Sequence, residues 1–277
     1  MLLEIHPRKL TQCLAIMIVV LCAMGIAAEY VNQATQSWSH RGVTVLAEKF
    51  LLDSELSVPA WFSSLLILGC AVPLGVIAMF QRRARSAYAL HWSFLAAIFL
   101  VLSLDEMVGL HETLSDPLRR YLGAGGVFYH AWVIPAGLFV LGLAASYAKF
   151  VFLHLDSRTR RQFIMAGFIY VGAALGMEMV EGPIDGWWGK DSLAGRLAVI
   201  TEETMEMVGM LLFLRALLNY LAEHMGELRI LLGSPGRISE DVEAIAPLDF
   251  DDGDTVVWEG DSPEDELLQA VSASVRE

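Results

Sequence analysis

Apolar runs of about 20 residues, long enough to cross a bilayer as helices at 1.5 Å per residue, recur along this chain. One such run could be a buried core helix, but about six cannot all be covered by one small soluble domain. The runs extend from about Thr11 to Val31, Pro59 to Phe80, Ser86 to Glu112, Val127 to Phe152, Arg161 to Glu181 and Ala194 to Leu221. The expectation is an all-α, polytopic membrane helix bundle of about six transmembrane helices. The composition agrees, with 55% hydrophobic residues and a mean hydropathy of +0.51 over 277 residues.

The formal charge of -13 mostly belongs to one end of the chain. From Ile238 onward there are 13 acidic residues and one Arg, a net of -12, which leaves -1 for the rest. Two domains are therefore expected: a transmembrane helical domain over 1–230, and an acidic cytoplasmic tail over 231–277. The tail lacks helical periodicity and is punctuated by Pro247, Gly253, Gly260 and Pro263, so disorder is its default reading. Its one apolar island, Val256, Val257 and Trp258, could dock on a protein partner. The lipid bilayer is the main expected partner, and nucleic acid is not expected.

Orientation follows from basic residues. Arg8, Lys9, Arg82, Arg83, Arg85, Lys149, Arg158, Arg160 and Arg161 fall on one side, and the opposite connections are longer and sparser. Both termini are assigned to the cytoplasm, in an inner (plasma) membrane. Arg8 and Lys9 before an apolar stretch, with Ala27 and Ala28 after it, resemble a signal peptide, but a retained first helix is the simpler account. Between the first two spans, Val43, Leu46, Phe50 and Leu51 recur at helical spacing, which suggests a helix lying on the membrane surface. Cys13, Cys22 and Cys70 are spaced too irregularly for a zinc motif, and no disulfide framework is suggested.

Carboxylates inside spans are expensive, by several kcal/mol each if charged and unpaired. Three groups occur: Asp105, Glu106, His111 and Glu112 at the end of the third span; Glu178 and Glu181 at the end of the fifth; and Glu202, Glu203 and Glu206 at the start of the sixth. His130 opens the fourth. Counted from the cytoplasmic ends, Asp105, Glu178, Glu203, Glu206 and His130 lie about 21–28 Å up their helices, in one layer. Glu178 and Glu181 share a helix face by i,i+3 spacing, as do Glu203 and Glu206; Glu202 and Glu206 share one by i,i+4. Asp105 and Glu112, seven apart across Gly109, should be nearly eclipsed. Facing carboxylates repel unless a cation or shared protons hold them. All ten residues are therefore candidate ligands for a divalent ion (Zn, Fe or Mn), with room for two.

The bland readings also have weight. Glu112 and Asp116 fit solvated residues at a helix exit. Asp185 follows Gly182-Pro183, which should break the helix, and reads as a loop residue. His91 reads as interfacial, and His40, His154 and His224 as surface. Met177, Met179, Met205, Met207 and Met210 read as packing.

The string Ser103-Leu104-Asp105-Glu106, followed after four residues by His111-Glu112, resembles a motif of uncharacterised bacterial multi-pass membrane proteins. It covers one helix end and implies no activity. The inward carboxylates also resemble, generically, the di-metal carboxylate helix bundles, in which Glu and His from four helices hold two ions. Glu-x-x-Glu stands here where that family has Glu-x-x-His. The pattern of membrane ceramidase-type zinc hydrolases is not matched, because the chain has no His-x-x-x-His. Three functions compete: a metal-dependent hydrolase or oxidoreductase acting at the membrane, a proton or cation transporter or channel, and a structural or assembly subunit.

Overall fold

The computed structural model describes residues 6–35 and 41–224; the acidic tail and its apolar island lie outside these. Among the described residues every regular element is helical, without a strand. The elements are α1 (Pro7–Thr35), α2 (Arg41–Glu48), α3 (Val58–Arg83), α4 (Ala89–Val108), α5 (Leu110–Leu122), α6 (Val133–Lys149), α7 (Ser157–Val171), α8 (Glu178–Trp188) and α9 (Leu193–His224).

Among the described residues, five helical stretches are long and apolar enough to cross a membrane: Pro7–Ala34, Val58–Arg83, Ala89–Val108, Val133–His154 and Ser157–Trp188. The sixth long helix, α9, runs for 32 residues but carries Glu202, Glu203, Glu206 and Arg215. α2 forms where the amphipathic segment was expected, although Phe50 and Leu51 fall just beyond its end.

Local signals explain the starts. Ser57 caps α3 by accepting from the Ala60 amide at 3.1 Å, ahead of Pro59 in the first turn, where a missing N–H costs nothing. Asp156 caps α7 by accepting from the amides of Arg158 and Thr159 at 2.9 and 3.0 Å.

Three boundaries differ from expectation. The fourth span begins at Val133 rather than Val127, after the Gly126–Phe128 turn, so His130 precedes α6 instead of lying on it. The third span stops at Val108 rather than Glu112, because Gly109 takes φ +61°, ψ +43°. This left-handed corner is cheap only for glycine, and the carboxylate of Glu55 fills the place a side chain would take there. The chain then turns into α5, an amphipathic helix the hydropathy did not announce. Asp105 and Glu112 are consequently not eclipsed on one helix. The fifth span, by contrast, continues seven residues past Glu181: Gly182-Pro183 does not break it, and Asp185 is helical. Pro183 sits in the first turns of α8, where the hydrogen bond it forfeits falls beside the π-helical stretch Gly172–Met177.

The core packs α3 against α4 and α7 against α9, with α9 also against α1 and α3. Ile67, Cys70, Leu74, Ile77, Met207 and Leu217 are among its fully buried side chains. At the end of the bundle holding the α3–α4 and α6–α7 connections, Trp92 meets Phe150 edge-on at 5.1 Å and Tyr220 at 5.1 Å. His154 joins this aromatic group, 4.6 Å from Tyr88, so it is not a surface residue. α6 stands apart from the packed helices. The Tyr147 hydroxyl donates to the His91 carbonyl at 2.7 Å at one end, and the Trp132 and His111 rings meet at 4.5 Å near the other.

Candidate metal centre

The space between α4, α6, α7 and α9 is a single cavity of about 700 Å³. All ten residues expected at the site line it. Antiparallel connectivity explains this convergence: α4 and the α7–α8 stretch end, and α9 begins, at the same end of the bundle.

Within that layer the residues sort into distinct groups. His130, Glu178 and Glu181 bring one potential ligand atom each within 4.8 Å of one another. His130 Nδ1 lies 3.0 Å from Glu178 Oε2, and its Nε2 lies 3.7 Å from Asp185 Oδ2. The Trp132 indole N–H donates to Glu178 Oε1 at 3.0 Å. Glu178 is 9% exposed and Glu181 7%, and each has a buried carboxylate oxygen without a hydrogen-bond partner. His130 Nε2 and Asp185 Oδ2 are also buried and unpartnered. Asp185, read from sequence as a loop residue, is thus a neighbour of His130.

Gly182 sets this geometry. A Cβ at that position would lie 2.5 Å from the Gly126 carbonyl oxygen and 2.9 Å from Tyr129 Cβ. The absence of a side chain lets α8 press against the short 3₁₀ turn Gly126–Phe128 that leads into His130. Glu181 also shares a side-chain hydrogen bond with Glu202 on α9.

His111 belongs to another pairing. Its ring Nδ1 lies 2.7 Å from Asp105 Oδ2, and its backbone amide donates to Asp105 Oδ1 at 3.1 Å. The Gly109 corner makes this possible by folding α5 back over the end of α4. Burial favours the neutral imidazole, but the Asp105 hydrogen bond and charge outweigh it and raise the His111 pKa. Glu106 lies within electrostatic reach of Glu203 and Glu206 on α9.

At the rim, Glu112 hydrogen-bonds Glu55; burial, with the negative charge of Glu55, pushes its pKa up to about 7. Burial raises Asp53, against the opposing charge of Lys190, while Lys190 itself is raised by Asp53 and Asp185 in spite of its burial. Asp53, Glu55 and Lys190 were missed in the sequence because they lie in connections, and only folding brings them to the cavity. Arg119 also lines the rim, paired with Asp116 at 2.7 Å and lying over the Tyr129 ring at 4.1 Å.

The donor set suits a divalent cation. Three ligands from two segments, two of them carboxyl groups, meet within 4.8 Å, and Glu178 and Glu181 each keep a buried oxygen without a hydrogen-bond partner. Such groups need either protons or a metal.

Residues 13–221 match a family described as a domain of unknown function (DUF8692). No curated protein and no solved structure matches the chain.

Proposed function

The chain belongs to this family of unknown function, and we propose that it is a six-span inner-membrane protein that holds a divalent metal ion and uses it in a hydrolytic reaction on a membrane substrate. α9 is the sixth span in this reading, its carboxylates turned to the cavity, and both termini are cytoplasmic. The carboxylate layer then lies near the extracytoplasmic face.

The observation that carries the proposal is the convergence of His130, Glu178 and Glu181 within 4.8 Å, with bare buried atoms, on the wall of a large cavity. Three protein ligands leave a metal with positions open toward that cavity, as in catalytic rather than structural sites. Zn, Fe or Mn suits oxygen-rich ligation with one imidazole. When bound, the ion supplies an activated water and polarises a carbonyl.

The chain's own residues do the rest. Asp185 orients the His130 ring from its far side, and the Trp132 indole fixes the Glu178 carboxylate. Glu202, beside Glu181 and on the cavity wall, stands where its carboxyl group can exchange a proton with the reacting groups. A hydrolase is favoured over transport because the cavity wall beyond Tyr170 is formed mainly by apolar side chains such as Phe99, Leu143, Ile164 and Phe213, which give a proton or cation no relay.

The test is elemental analysis of protein purified without chelator. Wild-type protein should hold stoichiometric metal, and Glu178→Gln with Glu181→Gln should lose it at nearly unchanged side-chain volume. Wild-type protein that holds no metal, and gains no thermal stability from Zn, Mn or Fe, overturns the proposal.

A further inference from the structure

The cavity is longer than a metal site requires, and its two ends differ in chemistry. On α6 its wall runs from Ala136 to Tyr147, about 16 Å of helix. On the α7–α8 stretch it runs from Phe163 to Glu178, about 22 Å. One end is walled by carboxylates and His130. The other is walled by Phe, Leu, Ile, Val and Ala side chains, and ends at the aromatic group around Phe150. A volume of about 700 Å³ falls within the roughly 300–1,000 Å³ of sites that enclose small ligands.

The middle of α6 faces this space across from α4. The two helices are tied by Trp132 against His111 near one end and by the Tyr147 hydroxyl on the His91 carbonyl at the other. Between these ties, Leu95, Ile98 and Leu102 of α4 and Phe139, Val140 and Leu143 of α6 are cavity wall. Gly167 opens the opposite wall, where an added Cβ would meet no atom within 4 Å.

The head end also selects by charge. Among the described lining residues, Arg119 is already engaged with Asp116, Lys190 with the charges of Asp53 and Asp185, and His111 with Asp105. Around them stand Glu55, Glu112, Glu178 and Glu202. A phosphate head placed there would face mostly carboxyl oxygens, acceptors like its own, whereas an amine or hydroxyl would find acceptors to donate to.

We infer that the cavity takes a single-chain amphiphile, with its hydrocarbon tail between α4, α6 and α7 and a cationic or neutral hydrogen-bonding head at the carboxylate layer. This deepens the metal-enzyme reading and rests on it for the chemistry done at the head. The occupancy itself depends only on the cavity.

The test uses three probes with the same long alkyl chain and a mid-chain diazirine: an amine, an alcohol and an alkyl phosphate. Each is irradiated with the full-length protein in phosphatidylcholine nanodiscs, and adducts are mapped by mass spectrometry. The amine and alcohol should label Val140, Leu143 and Ile164, about tenfold more than the phosphate does. Gly167→Leu, which fills the tail region, should cut that labelling about tenfold while leaving bound metal and melting temperature unchanged. Labelling confined to the outward-facing Leu138, Leu141 and Phe168, labelling unaffected by Gly167→Leu, or equal labelling by the phosphate overturns the inference. If Gly167→Leu alters the melting temperature, Ala144→Phe on the facing helix replaces it under the same criteria. Wild-type protein without metal but with the expected adducts would remove the metal reading alone.

Discussion

Gly182→Ala should loosen metal binding without touching a ligand. The added Cβ would sit 2.5 Å from the Gly126 carbonyl oxygen, about 0.9 Å inside the 3.4 Å at which ordinary contact begins. Because that oxygen is backbone, no rotamer change relieves the clash; α8 or the Gly126–Phe128 turn must move. His130 follows that turn and Glu181 precedes Gly182, so the shift separates ligands. Metal–ligand distances tolerate about 0.2 Å, several times less than the overlap. Loss of supporting geometry of this kind typically weakens metal binding about 10–100-fold. Overpacking costs about 1–3 kcal/mol, while replacing a helical glycine with alanine returns about 1 kcal/mol, so net destabilisation should be about 0–2 kcal/mol. Gly186→Ala, one turn further along α8, is the matched control, because its Cβ would meet nothing within 4 Å. It should keep wild-type affinity and melt at or slightly above the wild-type temperature. The assay is competition for zinc against a chromophoric chelator, alongside thermal melting. Wild-type zinc affinity in Gly182→Ala, or indistinguishable behaviour of the two variants, would refute the argument that close packing at Gly182 holds the site.

Three further outcomes are expected. Trp132→Phe keeps a ring against His111 but leaves Glu178 Oε1 without its donor; metal-free protein should lose about 1–3 kcal/mol, measured by denaturant unfolding. The Glu112 pKa is raised by burial and by Glu55 from 4.5 to about 7, so the folded protein binds the extra proton. Its stabilising contribution is full below about pH 4.5 and is lost as pH rises through about 7; Glu112→Gln should flatten the melting temperature over that window. A cysteine at Gly186 should react with an impermeant thiol reagent from the extracytoplasmic side and one at Ala84 should not, and the reverse pattern would invert the orientation.

Hydropathy reads long elements well because twenty apolar residues constrain a chain strongly, and α1 and α3 stand where their runs predict. It misreads ends, where single residues decide. Gly109 carries no hydropathic signal, yet its left-handed turn takes His111 and Glu112 out of the third span. Gly182-Pro183 has the composition of a breaker, but close packing on one side and a π-helical stretch before it keep the helix going. The carboxylate layer was legible because helix rise converts sequence position into depth. Azimuth was not: which acid faces His130 depends on how each helix is rotated. Hence Asp185 was set aside while Asp105 and His111, paired with each other, were counted beside the ligands.

That rotation is encoded in the π-helical stretch from Gly172 to Met177. Such a stretch adds a residue without a full added turn, so everything beyond it is dialled by about 100° relative to a continuous α-helix. The lower part of the helix is keyed to α9 through buried Phe163 and Ala166, while the upper part carries Glu178 and Glu181. The two halves can therefore be phased separately, one for packing and one for chemistry. The number of residues between Ala166 and Glu178 becomes as much a part of the site as their identities. Were the same residues wound as a continuous α-helix, both glutamates would aim elsewhere, although every ligand, and the apolar character of the span, survived intact.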